Sequence, residues 1–335
     1  TENGTLIAFI STRNPGGGTG NADGNPELFF YNIGSATFTQ ATNTQNPTPD
    51  PGFGQVFNSN PNLSANGSVV AFISSANLAT NNADGNAEIF VADVTGSTIS
   101  NVRQVTRTQN AANNTAGILP GNTNVWSNGR RLSRNGALLA FESRSTDPKS
   151  GNITSSNFLG TFVYTIASDT FVEIGNRPTS FTDIGRFPTF TDYNASLAPS
   201  SLMFASALNF RPDGVFPPLA EDATGLNTSR APQIFLTQIP ASTSNTFIRI
   251  TNTPPGVPFR GTNFSTSETR KRIAFLLDGV EFGGGNTDLS RELFYQLTPD
   301  VTASSSAVLS FFTGASNMPV ATATPSPSPS PSPSP

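Results

Sequence analysis

The sequence predicts an all-β fold, and three observations support this prediction. Short apolar strands rich in Phe, Val and Ile recur along the chain, and turns rich in Gly, Asn and Asp separate them. No stretch shows the 3.6-residue apolar period that an amphipathic helix would require. The strands also recur as a group about five times, so we expect one supersecondary unit to be repeated through the chain.

One strand type of the form IAFIS anchors the repeat. Its central phenylalanines are spaced by 63, 69, 63 and 71 residues, and they are Phe9, Phe72, Phe141, Phe204 and Phe275. A second strand follows in every unit, and its central residues are Phe29, Phe90, Phe162, Phe235 and Phe294. Five units defined in this way account for nearly the whole chain.

Two weaker strands complete the unit. A third strand closes most units, at residues 38–42, 102–106, 170–174, 247–251 and 307–312. A fourth precedes the unit, at residues 60–67, 129–136 and 187–194, with a degenerate version at 258–267. Four short antiparallel strands per unit are typical of the blades of a β-propeller.

The best-preserved unit, residues 60–106, contains "NPNLSANGSVVAFISS", then "DGNAEIFVADV", then "RQVT". This pattern resembles the WD40-like PD40 repeat of TolB-type β-propellers. The resemblance is good in residues 1–42 and 129–166 and looser in the last two units. It implies a propeller fold but not one activity, because that family includes periplasmic scaffolds, propeller domains of peptidases and secreted proteins of no known role.

The first unit lacks its innermost strand, because Thr1 stands at the position of Ser64, eight residues before the aligned Phe. Residues 317–322 read "NMPVAT", in which residues 319–322 match residues 61–64 in spacing and type. We therefore predict a single domain over residues 1–323 with five four-stranded blades, in which residues 317–322 complete the first blade and pair its open edge. The alternative is a six- or seven-bladed ring with irregular blades near residues 210–225.

Composition excludes several classes of function. The net charge is -4 and Lys occurs only twice, so nucleic acid and anionic membranes are not expected partners. Without Cys or His, thiolate chemistry, Cys/His zinc sites and a Ser-His-Asp triad are excluded. No apolar run approaches the length of a membrane span. Only 12% of residues are charged, and solubility through uncharged polar residues is typical of secreted β-proteins.

An acidic turn occurs twice, as "NADGNPELFF" and "NADGNAEIFV". One interpretation is a tight turn in which Gly and Asn accept the left-handed conformation. The other is a calcium site, because oxygen-bearing side chains alternate around a Gly as they do in hard-cation loops. The candidate ligands are Asp23, Asn25, Glu27, Asp84, Asn86 and Glu88. The sequences of the third and fourth units contain no such turn. No cofactor other than calcium is predicted.

A glycoside hydrolase would need two or three carboxylates around a central pocket. The acidic candidates near inner strands are Asp183, Asp192, Glu142, Asp278 and Glu281, and nothing marks them as a set. The only Trp, Trp126, lies beside Arg130 and Arg131. It could stack on a sugar or pack between blades, and the sequence leaves both interpretations open.

The chain ends in alternating Ser and Pro. Such a tract prefers an extended polyproline II conformation, so we predict a stalk or linker over residues 324–335. Stalks of this composition are frequent acceptors of O-linked glycans. The candidate acceptors are Thr322, Thr324, Ser326, Ser328, Ser330, Ser332 and Ser334.

These observations predict a secreted, non-enzymatic β-propeller at the cell surface that acts as a binding or assembly module. Its partners would be another protein or further copies of itself, contacted through the tail and the propeller faces, with glycans as a further class. A glycosylated subunit of an extracellular filament or layer fits this description. The alternative is a carbohydrate-binding or glycoside-cleaving propeller that uses carboxylates of the central pocket.

Overall fold

The computed structural model describes residues 1–17, 20–45, 56–108, 123–124, 131–145, 147–149, 155–175, 186–191, 201–211, 224–239, 247–256, 264–266, 272–277 and 287–297. Within these ranges the regular structure consists of β-strands alone, which confirms the all-β prediction. None of the described residues belongs to a helix that is long and apolar enough to cross a membrane.

The strands form five antiparallel sheets, which we number in chain order. Sheet 1 contains β1 (Leu6–Ser11), β2 (Glu27–Asn32) and β3 (Thr37–Gln40). Sheet 2 contains β4 (Asn58–Leu63), β5 (Val69–Ser74), β6 (Glu88–Thr95) and β7 (Thr98–Gln104). Sheet 3 contains β8 (Thr123–Asn124), β9 (Leu138–Ser145), β10 (Ser155–Thr165) and β11 (Thr170–Glu173). Sheet 4 contains β12 (Arg186–Phe190), β13 (Ser201–Ser206), β14 (Gln233–Gln238) and β15 (Phe247–Arg249). Sheet 5 contains β16 (Phe264–Thr266), β17 (Arg272–Leu277) and β18 (Glu292–Leu297).

The repeat phenylalanines pair directly across two neighbouring strands in every sheet. Their rings stack in parallel-displaced geometry, with centroids 5.2 to 6.0 Å apart and interplanar angles of 17° to 28°. The pairs are Phe9–Phe29, Phe72–Phe90, Phe141–Phe162, Phe204–Phe235 and Phe275–Phe294. The predicted alignment of the repeat phenylalanines is therefore confirmed, whereas β8 lies at Thr123–Asn124 and not in the predicted range 129–136.

Consecutive sheets pack face to face, and a separate apolar core fills each of the four spaces between them. The stacked Phe pair of a sheet faces the preceding sheet: Phe72 and Phe90 lie in one core with Leu28 and Phe30 of sheet 1. Strand residues alternate between faces, so the intervening side chains, such as Ile89, face the following sheet. The strands of a sheet that is buried on both faces therefore need apolar side chains at nearly every position.

Part of the segment considered for an additional blade belongs to an existing core. Phe210 is buried between sheets 3 and 4 and stacks on Phe247, with ring centroids 4.4 Å apart. Residues 212–223, the predicted closing strand at 317–322 and the Ser-Pro tail lie outside the described residues. The number of blades and the closure by residues 317–322 therefore stay predictions.

The start of the chain forms the same turn as the later units. The hydroxyl of Thr1 accepts a hydrogen bond from Leu6 N at 3.0 Å, and Ser64 Oγ accepts one from Val69 N at 3.0 Å. The backbone pairs match as well, because Thr1 N donates to Leu6 O and Ser64 N donates to Val69 O. The predicted equivalence of Thr1 and Ser64 is confirmed.

We expect Gly136→Ala to destabilise the protein by about 2–3 kcal/mol, because two penalties add at this turn. Gly136 has φ of 73°, and an added Cβ would lie 3.0 Å from Val69 Cγ2 and 3.2 Å from Ser64 Cβ. Gly96→Ala is the matched control, since Gly96 has φ of 63° and nothing within 4 Å, so only about 1 kcal/mol should be lost. Urea unfolding of both variants measures the difference, and equal losses would contradict close packing between the turns.

Candidate functional site: the repeated acidic turns

Both acidic turns close by the same hydrogen bond immediately before the second strand of their sheet. Asn21 Nδ2 donates to Asn25 O at 2.9 Å, and Asn82 Nδ2 donates to Asn86 O at 2.8 Å. The Gly between them has a positive φ, 69° at residue 24 and 68° at residue 85. The repeated Asn and Gly are therefore explained by the turn itself.

The fourth unit has the same turn, contrary to the expectation from its sequence. Asn227 Nδ2 donates to Ala231 O at 2.8 Å, and Arg230 takes the left-handed conformation with φ of 55° in place of Gly. In the fifth unit Leu289 occupies that position with φ of 56°. The motif was missed because the Gly is replaced, although Asn227 and Gln233 keep the spacing of the first Asn and the Glu.

The glutamate of the first turn points into the protein and is fully buried. Its Oε1 accepts hydrogen bonds from Thr44 N at 2.5 Å and Thr44 Oγ1 at 2.6 Å. Its Oε2 accepts from Thr42 Oγ1 and, at 3.0 Å, from Asn58 Nδ2 on β4 of the next sheet. Glu27 thus ties β2 to the chain that follows β3, and it also ties sheet 1 to sheet 2.

The second turn repeats this arrangement around Glu88. Oε2 accepts from Thr106 Oγ1 at 2.5 Å, and Oε1 accepts from Thr108 N and, at 2.7 Å, from Thr108 Oγ1. Burial raises the pKa of Glu88 to about 7, although hydrogen bonds from Thr106, Thr108 and Asn86 lower it in part. All of these partners are uncharged, so no cation compensates the buried carboxylate within this network.

In sheet 4 a glutamine performs the same task. Gln233 Oε1 accepts from Thr251 Oγ1 and from Thr253 N, each at 2.8 Å, and Nε2 donates to Thr253 O at 2.9 Å. We call the three arrangements, centred on Glu27, Glu88 and Gln233, the Glx–Thr clamps. Their sequence signal is a Thr-x-Thr triplet after the third strand, at residues 42–44, 106–108 and 251–253.

The clamps bear on the calcium hypothesis. Both oxygens of each glutamate accept hydrogen bonds from protein donors, and Asp23 lies at the exposed side of its turn. The amide oxygens Oδ1 of Asn25 and of Asn86 are buried and have no hydrogen-bond partner, so each turn keeps one amide oxygen among its candidate ligands that could bind a cation. Calcium takes six to eight oxygens, and one is far fewer than that. Among the described residues no group of three or more Asp, Glu, His or Cys is placed to hold a metal ion. These contacts favour the structural interpretation.

We therefore expect a calcium chelator to leave the melting temperature unchanged. Thermal unfolding followed by circular dichroism, with and without chelator, measures this directly. A fall in melting temperature that calcium reverses, and that Asp84→Ala removes, would instead establish the metal site.

Two charged residues considered for catalysis or binding are fully buried and join sheets 3 and 4. Glu142 Oε1 accepts from Phe187 N at 2.5 Å, and Arg131 Nη1 donates to Pro188 O at 2.6 Å. Arg131 is therefore not on the surface, where it would have to lie to contact a sugar. The other candidates, Asp183, Asp192, Asp278, Glu281, Trp126 and Arg130, lie outside the described residues.

The five antiparallel sheets follow one another in chain order, pack face to face and carry the same stacked Phe pair. These features define a β-propeller fold. The buried charged candidates serve this architecture, because they tie strands within a sheet or join one sheet to the next; they are Glu27, Glu88, Arg131 and Glu142. The predicted resemblance to TolB-type propellers stands at the level of the fold.

No protein-family model matches the chain, and no curated protein matches it. Similar solved structures include the tricorn protease, with 13% identity, 83% of this chain and 23% of that chain covered, and a TM-score of 0.42. TolB from Acinetobacter baumannii has 13% identity, with 89% and 53% covered and a TM-score of 0.39. An oligogalacturonate lyase in complex with manganese has 11% identity, with 88% and 63% covered and a TM-score of 0.43. The chain thus spans only part of each of these proteins, and at these identities the likeness concerns the fold alone.

Proposed function

We propose that this protein is a non-enzymatic binding or assembly module of the cell exterior. The observation that carries the proposal is the use of its buried polar groups: Glu27, Glu88 and Glu142 are all fully buried and hold the scaffold together. A carboxylate that acts on a substrate must reach it, and these three do not reach solvent. The uncharged polar composition and the Ser-Pro tract favour a location outside the cell.

The proposal includes a five-bladed propeller whose first blade is completed by residues 317–322. Deletion of residues 317–335 should then lower the melting temperature clearly more than deletion of 325–335, because the longer deletion removes the strand that pairs β1. Differential scanning calorimetry of the two truncations decides this. If both melt at the same temperature, residues 317–322 do not supply the strand.

Electron microscopy of native material, combined with intact mass, tests the proposed function. Regular filaments or layers, with excess mass that maps to the Ser-Pro tract, are expected for a glycosylated assembly protein. Monodisperse particles of unmodified mass would contradict assembly and glycosylation. Hydrolysis of a glycan by the isolated propeller would contradict the non-enzymatic role and favour the carbohydrate-active alternative.

A further inference from the structure

Attachment of a glycan to asparagine requires the sequence Asn-x-Ser or Asn-x-Thr, with x other than Pro, on an accessible part of the chain. Eight such sequences occur, and they begin at Asn3, Asn62, Asn66, Asn113, Asn152, Asn194, Asn227 and Asn263. A chain this rich in Asn, Ser and Thr contains many by chance, so the sequence offers no way to choose among them. The structure describes those at residues 3, 62, 66 and 227, and it separates them into two classes.

Asn3 and Asn66 lie at matching positions of two exposed turns, before β1 and before β5. Asn3 Oδ1 accepts hydrogen bonds from Thr5 N at 3.2 Å and from Thr5 Oγ1 at 2.8 Å. Asn66 Oδ1 accepts from Ser68 N at 3.1 Å and from Ser68 Oγ at 2.8 Å. In both turns the hydroxyl group that the glycosylation sequence requires is therefore bonded to the side-chain amide of the Asn.

The amide nitrogen Nδ2 is the atom that receives the sugar, and in these two turns it is available. No residue in the described part of the chain accepts a hydrogen bond from Nδ2 of Asn3 or of Asn66. Both residues are also exposed. A bulky group on either nitrogen would therefore displace no hydrogen bond of the described fold.

Asn62 and Asn227 do not meet these conditions. Asn227 is completely buried, and its Nδ2 donates to three backbone carbonyl oxygens at 2.8 to 3.3 Å. Asn62 belongs to β4, and the hydroxyl of its sequence is that of Ser64, which is buried and donates to Asn66 Oδ1 at 2.8 Å. A sugar on Asn227 would break the turn before β14, and Asn62 lacks a hydroxyl partner.

We propose that Asn3 and Asn66 each carry an Asn-linked glycan, and this proposal rests on the proposed location outside the cell. In the transfer, Nδ2 attacks the anomeric carbon of a sugar that is carried on a polyprenyl diphosphate. The carbon–nitrogen bond forms while the bond from that carbon to the diphosphate oxygen breaks. The polyprenyl diphosphate leaves with the electron pair, and Nδ2 gives up one proton. The folded turn then holds the modified side chain at the surface.

The two sites are neighbours, because Glu2 N donates to Ala65 O at 2.8 Å. Their turns precede β1 and β5, whereas the acidic turns follow these strands, so the two kinds of turn lie at opposite ends of the sheets. Glycans are bulky and strongly hydrated, so two of them side by side would cover this end of the sheets. A protein partner or a second copy of the chain would then be directed away from it.

Mass spectrometry of proteolytic peptides from the native protein tests the proposal, with fragmentation that keeps the glycan attached and locates it to one Asn. Glycans are expected at residues 3 and 66 and not at residues 62 or 227. Unmodified Asn at both residues 3 and 66 would overturn the proposal. Filaments of such unmodified protein would leave the assembly role standing, whereas glycans at both sites on monodisperse particles would contradict assembly alone.

The third unit offers a matched control for the role of the hydroxyl. Asn135 occupies the position of Asn66, and its Oδ1 accepts from Ala137 N at 3.0 Å, but Ala137 has no hydroxyl. Ser68→Ala gives the second turn the Asn-Gly-Ala sequence of this natural turn, so the variant should fold. In the native host it should lose the glycan of Asn66 and keep the glycan of Asn3.

The converse variant, Ala137→Ser, should add a glycan at Asn135. Circular dichroism checks that both variants are folded, and the same peptide analysis locates their glycans. A glycan that stays on Asn66 in Ser68→Ala, or an unmodified Asn135 in Ala137→Ser, would contradict the proposal that the turn and its hydroxyl define the acceptor.

Discussion

Replacing Glu88 by alanine is expected to destabilise the protein by about 3–5 kcal/mol, while Glu88→Gln should cost about 1 kcal/mol or less at neutral pH. Alanine leaves the buried donors Thr106 Oγ1 and Thr108 N without their acceptor. Glutamine keeps an acceptor, and Gln233 makes the equivalent bonds to Thr251 and Thr253 in the same protein. Guanidinium unfolding of the two variants measures the difference.

The same carboxyl group should make stability depend on pH. Its pKa is raised from 4.5 to about 7 on folding, so between these values the folded protein keeps a proton that the unfolded chain has released. Stability should therefore fall as pH rises from about 4.5 to 7, by up to roughly 3 kcal/mol, and it should level off above that range. Glu88→Gln removes the titrating group and should flatten this part of the profile.

The converse variant provides the control for the pH effect. Gln233→Glu places a carboxylate in the clamp of sheet 4 and should add a further loss of stability as pH rises. Unfolding free energies at pH 5 and pH 8 are sufficient for the comparison. If wild type and Glu88→Gln have equal pH dependence, Glu88 is ionised in the folded protein as readily as in the unfolded chain.

Phe72→Ala should be comparably severe, with a loss of about 3–5 kcal/mol, because it opens a cavity in the core between sheets 1 and 2. Phe72 is completely buried and stacks on Phe90 at 5.9 Å. Phe38→Ala is the matched control on a surface strand: Phe38 is 42% exposed, and about 1 kcal/mol should be lost. Chemical unfolding of both variants measures the two losses in unfolding free energy.

The Phe variants also test the repeat itself. Since each sheet carries the same stacked pair, Phe141→Ala and Phe204→Ala should lower the unfolding free energy by about as much as Phe72→Ala does. A loss near 1 kcal/mol at Phe72 would mean that the sheets do not bury their Phe pairs against one another as the structure shows.

Much of the fold could be predicted because its determinants are local. Recurring short apolar runs between Gly-, Asn- and Asp-rich turns placed the central strands, and their similar spacing aligned Phe9 with Phe72 before any contact was known. Thr1 could be matched to Ser64 because each lies eight residues before the aligned Phe, and the two residues form the same turn. Strand alternation and turn conformation depend on neighbours within a few residues, and a single sequence displays them.

The sequence by itself determined the strands, their grouping into five units and the presence of acidic turns. Only the tertiary structure decided that Glu27 and Glu88 point inward to a Thr-x-Thr triplet, and that Arg230 adopts the left-handed conformation that Gly has elsewhere. Each carboxylate and its Thr donors are 15 to 20 residues apart in the chain, so their meeting depends on the pairing of the second and third strands. Sheet packing likewise decided that Glu142 joins sheets 3 and 4, because its donor, Phe187 N, is supplied by the neighbouring sheet.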